Sequence, residues 1–220
     1  MSRGAYMLTA DDIRQAHSRI KALIRRTPVE IGRRLSHLDT EFILKLENTQ
    51  LTGSFKLRGA ANALMCLSDE VRQRGVVAAS TGNHGAGVAY AAQHLGVHAQ
   101  VFVPTTLPAS KLTTIEHFGA EIVRSGVDCV ESEAAARSAA SQSGRAFISP
   151  YNDTTVMAGQ GTLGLELAAQ DAALDAVVVA VGGGGLIGGV GTYFKATHPK
   201  TKIIAVSPEN SCVMHHSWRR

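Results

Sequence analysis

At 220 residues with a hydrophobic fraction of 45%, the chain suits one large or two small domains with a real core. Its net charge of +4 is scattered: basic runs such as Arg25-Arg26 and the closing Arg219-Arg220 are only pairs, too short and too poor in aromatics for a nucleic-acid surface. Cys66, Cys129 and Cys212 lie far apart and offer neither metal-ligand spacing nor a disulfide framework; with no apolar run fit to span a bilayer and no signal-peptide core near the N-terminus, a reducing cytoplasm is expected.

The first predicted element is a helix over 10–25. Thr9 caps it, Asp11 and Asp12 suit the positive end of its dipole, and Ile13, Ala16, Ile20, Leu23 and Ile24 share one face. Thr27-Pro28 ends it, because the residue before a proline avoids the helical region. Residues 42–46 read as a short strand. Ser54 reads as the cap of a helix that puts Lys56 in its first turn and runs to about Leu67. Then strands and helices alternate: strand 76–79, helix 85–95, strand 99–103, helix 109–118, strand 121–123 and helix 131–142. Helix 154–169, strand 176–181, helix 185–197 and strand 202–206 continue the pattern. Apolar strand runs alternating with helices predict an α/β fold, an open parallel sheet with helices on both faces.

Such sheets place ligands at the carboxyl ends of their strands, so three turns stand out. The first is Thr52-Gly53-Ser54-Phe55-Lys56. On its helix Lys56 aligns with Gly59, Ala60 and Ala63, a small-residue stripe where something can pack closely. An amine held there, desolvated and near a helix N-terminus, has a lowered pKa and can attack a carbonyl. A surface lysine that merely decorates the helix is the plain alternative.

The second turn is Ser80-Thr81-Gly82-Asn83-His84-Gly85, between a buried-type strand and a helix. Its free N–H groups and hydroxyls suit an anion such as a carboxylate, although an ordinary capped turn accounts for it as well. The third is Gly182-Gly183-Gly184-Gly185. Four consecutive glycines are costly in backbone entropy and suit a loop that wraps a phosphate before a helix N-terminus. The same stretch satisfies G-x-G-x-x-G through Gly183, Gly185 and Gly188, with Glu209 near the spacing of a ribose acid. A nicotinamide dinucleotide site is thus the competing reading, one that leaves the first two turns without a role.

Taken in order, the three turns resemble those of the fold-type II pyridoxal-phosphate enzymes, the tryptophan synthase beta-like architecture, and within them the threonine/serine dehydratase and serine racemase family. The likeness runs from Arg26-Thr27-Pro28 through Lys45-Leu46-Glu47-Asn48 to Ser207-Pro208-Glu209. It implies that Lys56, beside Phe55, holds the cofactor covalently. It implies that Asn83 bonds the ring hydroxyl, and that Gly182, Gly183, Gly184, Gly185 and the Leu186 amide hold the phosphate. The turn Ser80, Thr81, Gly82, Asn83 and His84 would grip a substrate carboxylate. By the same likeness, residues 75–150 form a small domain inserted in a large one made of 1–74 and 151–220. The implied partners are a small amino acid, L-threonine or L-serine by default, and a second copy in a homodimer of the complete protein.

The implied reaction takes the Cα proton with freed Lys56, expels the β-hydroxyl and ends in a 2-oxo acid and ammonia. Thr81 stands where the racemase branch has the serine that acts as acid-base on the opposite face, which favours elimination. Some relatives bind a divalent metal with acidic residues near the positions of Ser207 and Val213 here, so no metal is expected. Family members also continue past the equivalent of Arg220, into the partner of the pyridine nitrogen and the last strands. On that ground the C-terminal part is expected to be missing, and the chain to be a poor catalyst or a non-catalytic remnant.

Overall fold

The structure, a computed structural model, describes residues 7–36, 40–171 and 173–218; the pair Arg219-Arg220 lies outside them. The first helix, α1 (Ala10–Ile20), starts as expected. Thr9 and Asp12 form a reciprocal capping box, and Ile13, Ala16 and Ile20 are buried. It ends five residues short of the predicted Arg25. The chain turns where Leu23 N–H bonds Ile20 O, and Leu23 and Ile24 still reach the core from that turn.

One antiparallel pair stands beside the expected parallel sheets. Strands β1 (Val29–Ile31) and β2 (Ile43–Lys45) form an antiparallel pair. With only three residues and Pro28 at its edge, β1 has no periodicity to read. Next come α2 (Lys56–Cys66) and the short α3 (Asp69–Arg74), which Ser68 caps. Ser54 is a weaker cap than predicted: helix α2 follows Phe55, itself helical, and the Ser54 hydroxyl accepts from Lys56 N–H at 3.4 Å.

A four-stranded parallel sheet occupies residues 76–147. It is built from β3 (Val76–Ala79), β4 (Ala99–Val103), β5 (Glu121–Arg124) and β6 (Ala146–Phe147), in the order β5-β4-β3-β6. Between these strands lie α4 (Asn83–Leu95), α5 (Thr113–His117) and α6 (Cys129–Ser143). Alternate side chains divide between the faces, as strand geometry requires. Val76, Ala78, Val101 and Val103 join the core under α4, while Val77 and Phe102 pack with Ala136 and Ala140 of α6. The predicted helix 109–118 is instead a tight turn over Ala109–Lys111 followed by α5. Leu112 and Ile115, three residues apart and both buried, share a face under that tighter winding.

The chain closes through α7 (Thr154–Gln170), β7 (Ala176–Ala180), α8 (Gly185–Thr197), β8 (Lys202–Val206) and α9 (Val213–Trp218), with β7 and β8 parallel. Val177 and Val179 pack with Leu163, Leu167, Val190 and Phe194, while Val178, Ile204 and Val206 on the strands are exposed. Helices α2 and α7 cross backbone to backbone. A Cβ on Gly159 would lie 2.4 Å from Arg58 O and 2.7 Å from Gly59 Cα. Among the described residues no helix is long and apolar enough to cross a membrane.

Candidate active site

In the order β5-β4-β3-β6 the chain leaves β3 toward one side and returns on the other. Such a reversal opens a crevice outside the carboxyl ends of the two flanking strands. Here those ends lead into Ser80–Asn83 after β3 and into residues 148–153 after β6. The second of these segments carries no signal in the sequence reading, yet all three predicted turns meet it. His84 bonds Ile148 O, Lys56 bonds Pro150 O, and Tyr151 packs on the glycine loop.

Lys56 is the first residue of α2. Its Nζ donates to Pro150 O at 2.8 Å and lies 5.4 Å from the centre of the Phe55 ring. Burial lowers its pKa from the ordinary lysine value, because an ammonium loses hydration that one neutral carbonyl does not replace. The small-residue stripe beside it has a different occupant from a ligand. A Cβ on Gly59 would collide with Gln160 and Val156 of α7. From the other side α4 closes on the start of α2, where a Cβ on Gly87 would lie 3.1 Å from Lys56 C and Leu57 N.

In the second turn the Ser80 hydroxyl accepts from Gly82 N–H at 3.2 Å and so shapes its own loop. Helix α4 starts two residues earlier than predicted, at Asn83, which gives the turn the free N–H groups of a helix N-terminus. Thr81 is partly exposed and Asn83 exposed. His84 turns inward and is buried, with its Nε2 2.9 Å from Ile148 O. A carbonyl only accepts, so Nε2 carries the proton and Nδ1 is bare; Nδ1 is buried without a partner among the described residues. Burial drives the imidazole down to about 4, against the pull of the Ile148 carbonyl and with the Lys56 charge adding to the fall. His84 is therefore neutral near pH 7, and only its main-chain N–H is suited to an anion.

The glycine loop leads into α8. Gly184 is its N-cap, with φ 85° in the left-handed region, where a side chain is strained. Gly182 and Gly183 are exposed, and no side chain caps the helix, so its first N–H groups are open to an anion. A Cβ on Gly183 would lie 2.3–2.5 Å from the Tyr151 ring, and one on Gly185 2.9 Å from Tyr151 Cα and O. Leu186 packs partly into the core beside Val177 and Phe194.

A buried charge cluster behind α2 also escaped the sequence reading. Arg58, two residues past Lys56, is fully buried and spends all five N–H donors. Nη1 and Nη2 grip Glu166 at 2.8 and 2.9 Å, Nε and Nη2 grip Glu47 at 2.8 and 2.7 Å, and Nη1 reaches Thr162 Oγ1 at 3.2 Å. Lys45 Nζ donates at 2.8 Å to each of Glu166 Oε2, Thr27 O and Gln170 Oε1. Burial pushes Glu166 upward, but Arg58 and Lys45 outweigh it and hold the carboxyl below its usual range.

Residues 20–220 match the family described as pyridoxal-phosphate dependent enzyme. The chain is 44% identical over 215 residues to the L-threonine ammonia-lyase of Thermotoga maritima, an alignment covering 97% of this chain and 54% of that protein. It is 42% identical over 216 residues to the catabolic L-threonine dehydratase of Staphylococcus aureus, covering 97% and 62%. Among solved structures, the serine racemase of maize superposes with a TM-score of 0.89 at 36% identity, covering 93% of this chain and 62% of that one. The chain thus spans about half to three fifths of the length of the curated relatives it matches.

The residues fit the group for which the family is named. Pyridoxal phosphate needs an amine for its aldehyde and a cradle for its phosphate. Lys56 is a desolvated amine with one neutral acceptor. The loop before α8 is a cradle with open space at Gly182, where a Cβ would meet nothing within 4 Å. That assignment displaces the nicotinamide reading of Gly183, Gly185 and Gly188. Fold, ordered turns and family match agree: this chain belongs to the pyridoxal-phosphate dependent enzymes.

Proposed function

We propose that the protein of which this chain is all or part is an ammonia-lyase that converts L-threonine, L-serine or a related hydroxy amino acid to a 2-oxo acid and ammonia. The observation that carries this reading is the convergence of Lys56, the His84 turn and the glycine loop on residues 148–151. Bound pyridoxal phosphate supplies the electron sink that spreads the charge left at Cα. Lys56 binds the cofactor through Nζ and, once released, takes the Cα proton; burial leaves its amine readily neutral and able to do so. Phe55 flanks the amine. Gly182 to Gly185 and the Leu186 N–H hold the phosphate at the α8 N-terminus, and Asn83 bonds the ring hydroxyl. The turn Ser80, Thr81, Gly82, Asn83 and His84 orients the substrate carboxylate through its free main-chain N–H groups and hydroxyls.

The same reading makes 75–150, with its self-contained four-stranded sheet, the small domain, and 1–74 with 151–220 the large one. It also includes a homodimer and a cytoplasmic setting, as in the sequence expectation. Borohydride reduction in the presence of pyridoxal phosphate, followed by peptide mapping, is expected to find a pyridoxyl group on Lys56; one on Lys45 instead sinks the assignment. The methyl of Thr81 leaves less room for reprotonation on the opposite face, so L-serine is expected to give more pyruvate than D-serine. An excess of D-serine makes the protein a racemase, and no product of either kind makes the chain a non-catalytic member.

A further inference from the structure

Arg58 follows Lys56 by two residues, so at about 3.6 residues per turn the two side chains leave α2 on nearly opposite sides. On the Arg58 side every donor is satisfied by a fixed partner: Glu166 and Thr162 of α7, and Glu47 beside β2. On the Lys56 face, Gly59 N–H bonds Gln160 Oε1 at 3.2 Å and α4 packs on the backbone at Gly87, but the Lys56 side chain itself makes one bond, to Pro150 O. The Arg58 side therefore carries the larger set of directional side-chain bonds that resist rotation of α2.

We infer that the Glu47–Arg58–Glu166 cluster is a positioning device for Lys56, fixing the rotation of α2 and hence the direction in which the amine points. This inference rests on the proposed role of Lys56. A roll of α2 by about 20° would carry a side-chain tip lying ~6 Å from the axis by about 2 Å. A shift of that size is enough to break the bond to Pro150 O and to spoil the alignment of a reacting amine. Glu166 acts through Arg58 and touches none of the reacting groups. The titratable group facing Lys56 from α4 is His84, which is neutral across the range of the test.

Competitive acetylation of the free chain with acetic anhydride, mapped lysine by lysine across pH, reads the midpoint of the Lys56 amine without any cofactor. In Glu166→Gln the Lys56 midpoint is expected to rise toward the ordinary lysine value, as the amine rolls out of its buried position. Lys195, bonded to Thr201 O away from the cluster, serves as the internal reference for the extent of reaction. Lys45→Met removes a cation but leaves all five Arg58 bonds, so it should leave the Lys56 midpoint in place. If Glu166→Gln does not fold, Thr162→Val removes one Arg58 acceptor and no charge, and the same rise, smaller, is expected. An unchanged Lys56 midpoint in a folded Glu166→Gln or Thr162→Val chain overturns the inference, as does an equal shift in Lys45→Met. Failure of the functional reading looks different: no pyridoxyl group forms on Lys56 of the unsubstituted chain.

Discussion

Lys45 and Lys56 are two lysines with lowered pKa values, both set by burial, and they have opposite surroundings. Lys45 donates to three oxygens, one of them a carboxylate; three acceptors call for three N–H groups, the ammonium form. Lys56 donates to one neutral carbonyl. Burial alone therefore does not make a nucleophile. What separates the two is whether the buried charge is compensated: Lys45 is locked as a structural cation, and Lys56 is left free to lose its proton.

The largest effects should come from breaking that contrast directly. Lys56→Ala is expected to abolish covalent capture of pyridoxal phosphate while changing the urea-denaturation free energy by about 1 kcal/mol or less, since one neutral hydrogen bond is lost. Lys45→Met should do the reverse. Capture persists, but stability falls by about 3 kcal/mol because Glu166 loses a buried, charge-assisted partner. Equal loss of capture in both variants would erase the distinction.

His84 sharpens the comparison through pH. Its folded pKa of about 4 lies below the ordinary 6.5, so between those values the unfolded chain binds the proton and the folded one does not. Stability contributed by neutral His84 is complete above about pH 6.5, is lost as pH falls through that window, and amounts to about 3 kcal/mol in full. His84→Gln should flatten the stability profile between pH 6.5 and 4. Glu166, held below the ordinary 4.5, loses its stabilising contribution as pH falls below about 4.5. A profile that keeps its slope in His84→Gln would assign the acid limb elsewhere.

The smallest effect belongs to the glycine loop, which has no counterpart near Lys45. Gly184→Ala puts a side chain at φ 85° and 3.0 Å from Met214 Cε, a strain of about 1–2 kcal/mol. Pyridoxal phosphate retained after dialysis is expected to fall several-fold, with the fraction of bound cofactor captured by Lys56 unchanged. Normal retention would move the phosphate site away from this loop.

The strand–helix alternation from Val76 onward was legible where the strands are apolar and the helices, as in α4, α6, α7 and α8, are long enough to show their period; the five-residue α5 was not. The three turns were legible because glycines, hydroxyls and a lysine cluster at strand-to-helix junctions. What joins them was not. Strand β6 has two residues, too few for a pattern, and without it nothing brings residues 148–151 beside Lys56. Tyr151 had no signal beyond its place next to Pro150. The charge cluster was hidden for another reason: Arg58 meets Glu166 108 positions away and Lys45 meets the same residue across 121. Only the folded chain supplies that proximity.

The crossing at Gly59 and Gly159 has a consequence in time. Where two helices touch without intervening side chains, neither slides or tilts without parting the other's backbone. The amides around this crossing are sealed by the fully buried stretches on both helices, whereas β8 has most of its length exposed. Amide exchange is therefore expected to be slower along α2 at this crossing than along β8. Lys56 lies three residues before Gly59, on the helix that this crossing holds in place.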